Sequence, residues 1–220
     1  MIARQISQIE EQIGDRVKLV AITKQVSVER MRQAYQAGVR DFGENRLQEA
    51  LAKQQQLQDL PDICWHFIGH IQKNKAKKVL ENFEWIHSVD SFALAMRLER
   101  LAAELSRSPK ILLQVKMLPD PDKYGWHIAE LLADLARLNE CQNLHILGLM
   151  TILPLGLSSE QTLDAFQGVR EVARDIEKQN WSSLKMQELS MGMSDDYLLA
   201  VKAGATMIRL GRGIFGERPN

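Results

Sequence analysis

The chain has 220 residues, and its 28 Lys plus Arg are matched by 28 Asp plus Glu, so the formal net charge is zero. That balance removes the long-range field by which a general nucleic-acid binder gathers phosphate. Cys64 and Cys141 lack CxxC spacing, which speaks against a disulfide scaffold and for a reducing, cytoplasmic setting, and the polar residues throughout MIARQISQIEEQIGDR exclude a signal core or membrane span.

Apolar residues at three- and four-residue spacing predict a helix over residues 2–13. Aliphatic runs then predict strands over 18–23, 39–43, 65–69, 85–89, 110–116, 146–151, 186–190 and 206–210. Between them lie amphipathic segments such as VERMRQAYQAG, FALAMRLERLAAEL, IAELLADLARLNE and EQTLDAFQGVREVARDIEKQ. Such alternation means parallel strands joined by crossover helices, and eight strands favour a single (β/α)8 TIM-type barrel over an open doubly wound sheet. Ten residues follow Leu210, too few for a full-length closing helix, so the N-terminal helix is expected to cover the barrel beside the last strand. No linker or repeat divides the chain, which is read as one domain over residues 1–220. Gly38 and Gly204, each following a helical pattern, suit the left-handed position after a helix.

Sites in such barrels form where strands end and loops lead into helices. Lys24 ends the first strand. An ammonium there is costly unless it is paired, chemically used, or snorkels into water. Asn45, in NRLQ, fits a capping box with Gln48, or alternatively faces the mouth and bonds a ligand. Gly211, Arg212 and Gly213 follow the last strand, at the usual phosphate site of barrels, where Ser190 could add a hydroxyl and Arg212 a charge. The alternative is a tight turn needing positive φ. Ser194 is expected to cap the next helix, where Asp195 and Asp196 would repel a phosphate. Lys73, Lys75, Lys77 and Lys78 are expected on a solvated helix face capped by Asn74, with no interleaved aromatic for nucleic acid. His66 and His70 show no third metal ligand, so no zinc site is expected. Met150, Met191 and Met193 are expected as flexible apolar walls at the rim.

AITK, FGENRLQE, WHFIGHIQKNK, HSVDS, DKYG, GLMTI and LSMGMSDDYLLAVKAGATMIRLGRGIFGER occur in this order over nearly the whole chain. Together they resemble the pyridoxal phosphate homeostasis proteins, single-domain barrels similar to the N-terminal domain of alanine racemase. Departures are mild: family members often carry Ser at the position of Thr23 and Pro at that of His70. The resemblance implies pyridoxal 5′-phosphate as cofactor, held by Lys24 as an internal aldimine. It also implies Arg209 facing the pyridine nitrogen, and Ser190, Gly211 and Arg212 around the phosphate, the last two through backbone N–H groups. Asn45 would lie beside the ring. A lysine near other cations at a half-buried strand end reaches its neutral amine at lower cost.

Arginine only donates, so a ring nitrogen facing Arg209 stays unprotonated and the ring is a weaker electron sink. In alanine racemase a tyrosine from an additional domain supplies the opposed acid/base. No such domain is expected before Asn220, and of Tyr35, Tyr124 and Tyr197 only Tyr124 falls in a strand–helix loop. The expected function is therefore cofactor homeostasis in the cytoplasm without evident turnover, acting on amino-acid and keto-acid balance. Expected partners are the cofactor itself and either cofactor-dependent apoenzymes or a regulatory protein, with neither nucleic acid nor membrane, and the protein is expected to be a monomer. The alternatives are an amino-acid racemase and a cofactor-sensing module that docks on a protein.

Overall fold

Ile2, Ile6, Ile9 and Ile13 lie on one face of helix α1 (Ile2–Ile13), and all four are buried. The computed structural model describes residues 1–217, so the last three residues of the expected domain lie outside it. Strands β1 (Lys18–Ile22), β2 (Asp41–Glu44), β3 (Cys64–Phe67), β4 (Trp85–Val89) and β5 (Lys110–Lys116) follow in order, then β7 (His145–Thr151), β8 (Leu184–Ser190) and β9 (Met207–Leu210). All pair in parallel, in the order β4-β3-β2-β1-β9-β8-β7-β5, and the β4–β5 pairing closes the barrel. Helices α2 (Val28–Gln36), α3 (Leu47–Gln56), α4 (Ala76–Asn82), α5 (Phe92–Leu105), α6 (Ile128–Leu138), α7 (Ser159–Glu177) and α8 (Tyr197–Ala203) form the outer layer. A short helix, α9 (Arg212–Phe215), follows the last strand, and α1 packs beside it against α2 and α8, the position expected from the sequence. Among the described residues no helix is long and apolar enough to cross a membrane.

Gly38 and Gly204 take φ of 106° and 101°. In each case the next N–H reaches back to close the helix, Val39 to Ala34 and Ala205 to Ala200, as the expected left-handed caps require. The cap after α2 also explains why β2 starts at Asp41 rather than at residue 39: Val39 still belongs to the helix exit. A short strand, β6 (Trp126–His127), extends β5 and was not expected, because two residues are too few to show a period.

Most of the apolar core lies between the barrel and its helices. A second, smaller apolar cluster joins Trp85, Leu112, Met150 and Met207. Met150 and Met191 are fully buried in these two cores, so they are packing residues and not rim walls; only Met193 is part-exposed. Beside it on the same strands are buried polar groups, His66, His87, Gln114, Ser190 and Arg209, with His66 pairing Trp85 and Ser190 pairing Met207.

Candidate functional site

Strand register brings distant segments level at the mouth. Ala21 pairs with Leu210, and Ile22 with Gly43. Lys24, Asn45 and Gly211 therefore all follow the C-terminal ends of neighbouring strands. Lys24 and Arg30 share a narrow cleft with Gly211, Arg212 and Phe215. Lys24 is half-buried in a tight turn whose next residue, Gln25, has a left-handed φ of 61°.

That turn is held from behind by a cluster the sequence did not reveal. Lys53 Nζ donates to Thr23 O at 2.6 Å, Glu44 Oε1 at 2.7 Å and Glu49 Oε1 at 2.6 Å. Thr23 Oγ1 donates to the same Glu44 oxygen at 2.7 Å, and Gln25 N–H donates to Glu49 at 2.5 Å. Burial pushes the Glu44 carboxyl up, opposed by the Lys53 ammonium and the Thr23 hydroxyl. Glu49, more open, is held below the usual carboxylate range: burial is outweighed by Lys53 and by the Gln25 N–H. Serine and threonine both supply this hydroxyl, so the departure at Thr23 leaves the chemistry intact.

Asn45 is not the helix cap. The N-cap of α3 is Arg46, with no side-chain capping bond. Asn45 Oδ1 and Glu44 Oε2 are instead buried acceptors with no hydrogen-bond partner among the described residues, a state proteins rarely leave unfilled unless a ligand or water completes it. Gly69 explains why the chain leaves β3 where it does: a Cβ there would meet Asn45 O at 2.2 Å, so only glycine lets the loop after β3 press against this segment.

At the last strand, Gly211 has φ −113°, so the turn alternative that would need positive φ does not apply. A Cβ on Gly213 would meet nothing nearer than Ser194 Oγ at 3.8 Å, so protein packing does not account for that glycine either. Ser194 does not cap α8: its Oγ accepts from Gly213 N–H, in the first turn of α9, at 3.2 Å, while Asp196 is the N-cap residue of α8 and accepts from Met193 N–H at 2.6 Å. Arg212 turns its guanidinium to Asp195 and is about half exposed at 47 %. The acid expected to repel a phosphate thus neutralises the neighbouring arginine.

Ser190 Oγ is wholly buried and accepts from Arg209 Nη1 at 2.7 Å; Arg209 Nη2 donates to Thr151 O at 2.8 Å. Burial pulls Arg209 down to about 10, with Asp196 opposing, so it remains charged at neutral pH. His66 and His70 do not converge. His66 lies inside the barrel against Asp41 and His87, while His70 sits on the rim, bonded to Asp90 at 2.8 Å and stacked on Tyr124. Asp41, Cys64 and His66 do lie within 4.8 Å of one another, but Asp41 already accepts from His66 and faces the Lys18 ammonium at 3.2 Å, and burial pushes the Cys64 thiol up to about 12. Lys73, Lys77 and Lys78 are solvated as expected, and the α4 N-cap is Lys75 and not Asn74.

Burial pushes His66 down and His87 well down. A basic group with a depressed native pKa stabilises the fold above its unfolded value of about 6.5, and that stability is lost as pH falls below it, by up to about 1.4 kcal/mol per pH unit for each histidine. Thermal melts between about pH 7 and pH 5.5 are expected to fall by roughly 4–8 °C. A melting temperature flat over that interval would show these rings are charged in the fold.

The profile of the alanine racemase N-terminal domain matches residues 1–219. A pyridoxal phosphate homeostasis protein of Synechocystis is 52 % identical over 96 % of each chain, and one of Pseudomonas aeruginosa is 40 % identical over 92 % of this chain and 85 % of its own. PipY of Synechococcus elongatus, solved with pyridoxal phosphate bound, superposes with a TM-score of 0.94 at 50 % identity, covering 98 % of this chain and all of its own. Alanine racemase of Clostridium difficile shares the fold at 14 % identity and a TM-score of 0.80, this chain corresponding to 57 % of its length. With the closed parallel barrel and relatives matching over nearly their whole length agreeing, the chain belongs to the pyridoxal phosphate homeostasis proteins, whose barrel matches the alanine racemase N-terminal domain.

Proposed function

We propose that this chain holds pyridoxal 5′-phosphate at the barrel mouth and serves its homeostasis in the cytoplasm, as a monomeric carrier and not an enzyme of steady turnover. The observation that supports this reading is the pairing of β1 with β9 and β2, neighbouring strands whose C-terminal ends lead into Lys24, Asn45 and Gly211. The cofactor supplies an aldehyde that amines take up. Lys24 is the amine at this mouth, half-buried in a cleft with Arg30, Gly211 and Arg212. Asn45 orients the ring through its amide, whose oxygen receives no hydrogen bond from the described residues. Gly211 and Arg212 present backbone N–H groups to the phosphate, with the Ser194 hydroxyl, which accepts from Gly213 N–H, beside them. Ser190 supports Arg209 from beneath, and Arg209 donates to the pyridine nitrogen without being able to protonate it into a strong electron sink.

The tyrosines support the same conclusion. Tyr35 is bonded to Asp62 outside the barrel and Tyr197 to Gln12 of α1. Tyr124 is committed to stacking on His70 and is 56 % exposed, a poor setting for a water-excluded acid/base. A bound cofactor that is not consumed is available to pass on, and apoenzymes that need it or a regulatory protein are the receivers this reading allows.

The direct test is borohydride reduction of the loaded protein followed by peptide mapping. A pyridoxyl mass on Lys24 is expected, and a protein that takes up no cofactor would overturn the reading. Asn45→Ala separates ligand from fold: it removes an unsatisfied buried acceptor, so the ligand-free protein is expected to keep its stability or gain up to about 1 kcal/mol, while cofactor affinity falls roughly 5–10-fold. Equilibrium dialysis beside thermal melts reads both, and parallel losses would make Asn45 structural.

A further inference from the structure

We infer that Asp41, His66, His87 and Ser190 form a one-directional hydrogen-bond chain that positions Arg209 and sets how strongly it donates to the cofactor's ring nitrogen. The inference rests on the cofactor site proposed above. The links are short and continuous: Asp41 Oδ1 to His66 Nε2 at 2.8 Å, His66 Nδ1 to His87 Nε2 at 2.8 Å, His87 Nδ1 to Ser190 Oγ at 2.8 Å, and Ser190 Oγ to Arg209 Nη1 at 2.7 Å. The chain climbs through the barrel interior from the first residue of β2 to the third of β9, by way of β3, β4 and β8. His66, His87 and Ser190 have no exposed surface, and Arg209 only 3 %.

Counting protons leaves one arrangement for neutral rings. Arg209 can only donate, so Ser190 Oγ accepts from it. At the other end Asp41 faces Lys18 at 3.2 Å, and although burial pushes its carboxyl up, the His66 N–H and Lys18 outweigh that and hold it ionised. Asp41 therefore accepts, and His66 carries its proton on Nε2. His66 Nδ1 must then accept from His87 Nε2–H, and His87 Nδ1 must accept the Ser190 hydroxyl proton. The opposite sense would set the bare Nε2 of His66 against a carboxylate. Every donor thus points down, from Arg209 to Asp41, and bonds in series polarise one another in a dry interior. Stacking of the His66 ring on Trp85, centroids 5.7 Å apart at 5°, holds its plane.

Two consequences follow for the cofactor. The single Ser190 proton is spent on His87, so Ser190 serves Arg209 as an acceptor and has none to give a phosphate. The carboxylate at the barrel floor acts as a remote counter-charge for the buried guanidinium, through neutral groups that move no proton.

The chain can be tested first without cofactor. Imidazole nitrogen NMR of the native protein near neutral pH is expected to show His66 and His87 both as Nε2–H tautomers; a Nδ1–H tautomer at either ring would overturn the inference. Loaded protein then tests the coupling. His87→Phe breaks the chain and is expected to weaken pyridoxal phosphate binding about tenfold and to shift the visible absorption band of the bound cofactor. His87→Gln, which can accept from Ser190 and donate to His66, is expected to restore most of both. Asp41→Asn, at the far end, is expected to shift the band in the same direction by less. If His87→Phe fails to fold, Asp41→Asn and the native tautomers decide. Unchanged band and affinity in folded His87→Phe and Asp41→Asn would sink the coupling, whereas native protein with the expected tautomers but no cofactor uptake would sink the site and leave the chain standing.

Discussion

Lys24→Ala is expected to abolish all borohydride-fixable cofactor while leaving the fold intact, and to weaken pyridoxal phosphate binding by at least about 100-fold. The residual binding is expected because the glycines after β9 and Asn45 do not depend on the lysine for their place: Gly211 is set by the β1–β9 ladder and Asn45 by the close approach of Gly69. Lys24 is half-buried and lies outside both apolar cores, so the fold is expected to stand without it. Mass spectrometry of the reduced protein reads the covalent part, and spectrophotometric titration the rest. A reduced adduct persisting at another lysine would move the site, and unchanged affinity would show that the covalent bond contributes nothing to holding the cofactor.

Lys53→Met is expected to be the most damaging single change outside the apolar core. Lys53 is 8 % exposed and Glu44 not at all, and the lysine is the only positive charge bonded to that carboxylate among the described residues. Removing one partner of a buried pair leaves the other uncompensated, at a cost of about 3–5 kcal/mol. For a chain of this length that corresponds to a fall in melting temperature of roughly 6–20 °C. The damage should be local to the site as well, because Lys53 also donates to Thr23 O, directly before Lys24. Glu44→Gln in the same chain removes the stranded charge, so the double variant is expected to recover much of the loss. A double variant no more stable than Lys53→Met would show that packing of the lysine stem, and not the charge, is what matters.

Much of the architecture was legible along the chain because it rests on neighbours in sequence. Helix and strand periods, the glycine caps at 38 and 204 and the helix before the first strand are all local signals, and they place the strand ends where Lys24 and Gly211 stand. The ordered motifs were enough to point to the family and its cofactor. Side-chain partners were not legible, because they join residues far apart that only barrel closure brings together. His87 and Ser190 are separated by 103 positions, Thr23 and Lys53 by 30. Local pattern made Asn45 and Ser194 helix caps; closure instead left Asn45 Oδ1 buried without a protein partner and carried Ser194 to Gly213. Met150 and Met191 read as rim residues by their place near strand ends, yet layers of neighbouring strands cover them completely. By itself the sequence determined the barrel, its ends and the lysine at its mouth, since each follows from short-range spacing. Which groups share protons inside that barrel was decided only by the tertiary structure, since a hydrogen bond depends on distance in space and leaves no period in the chain.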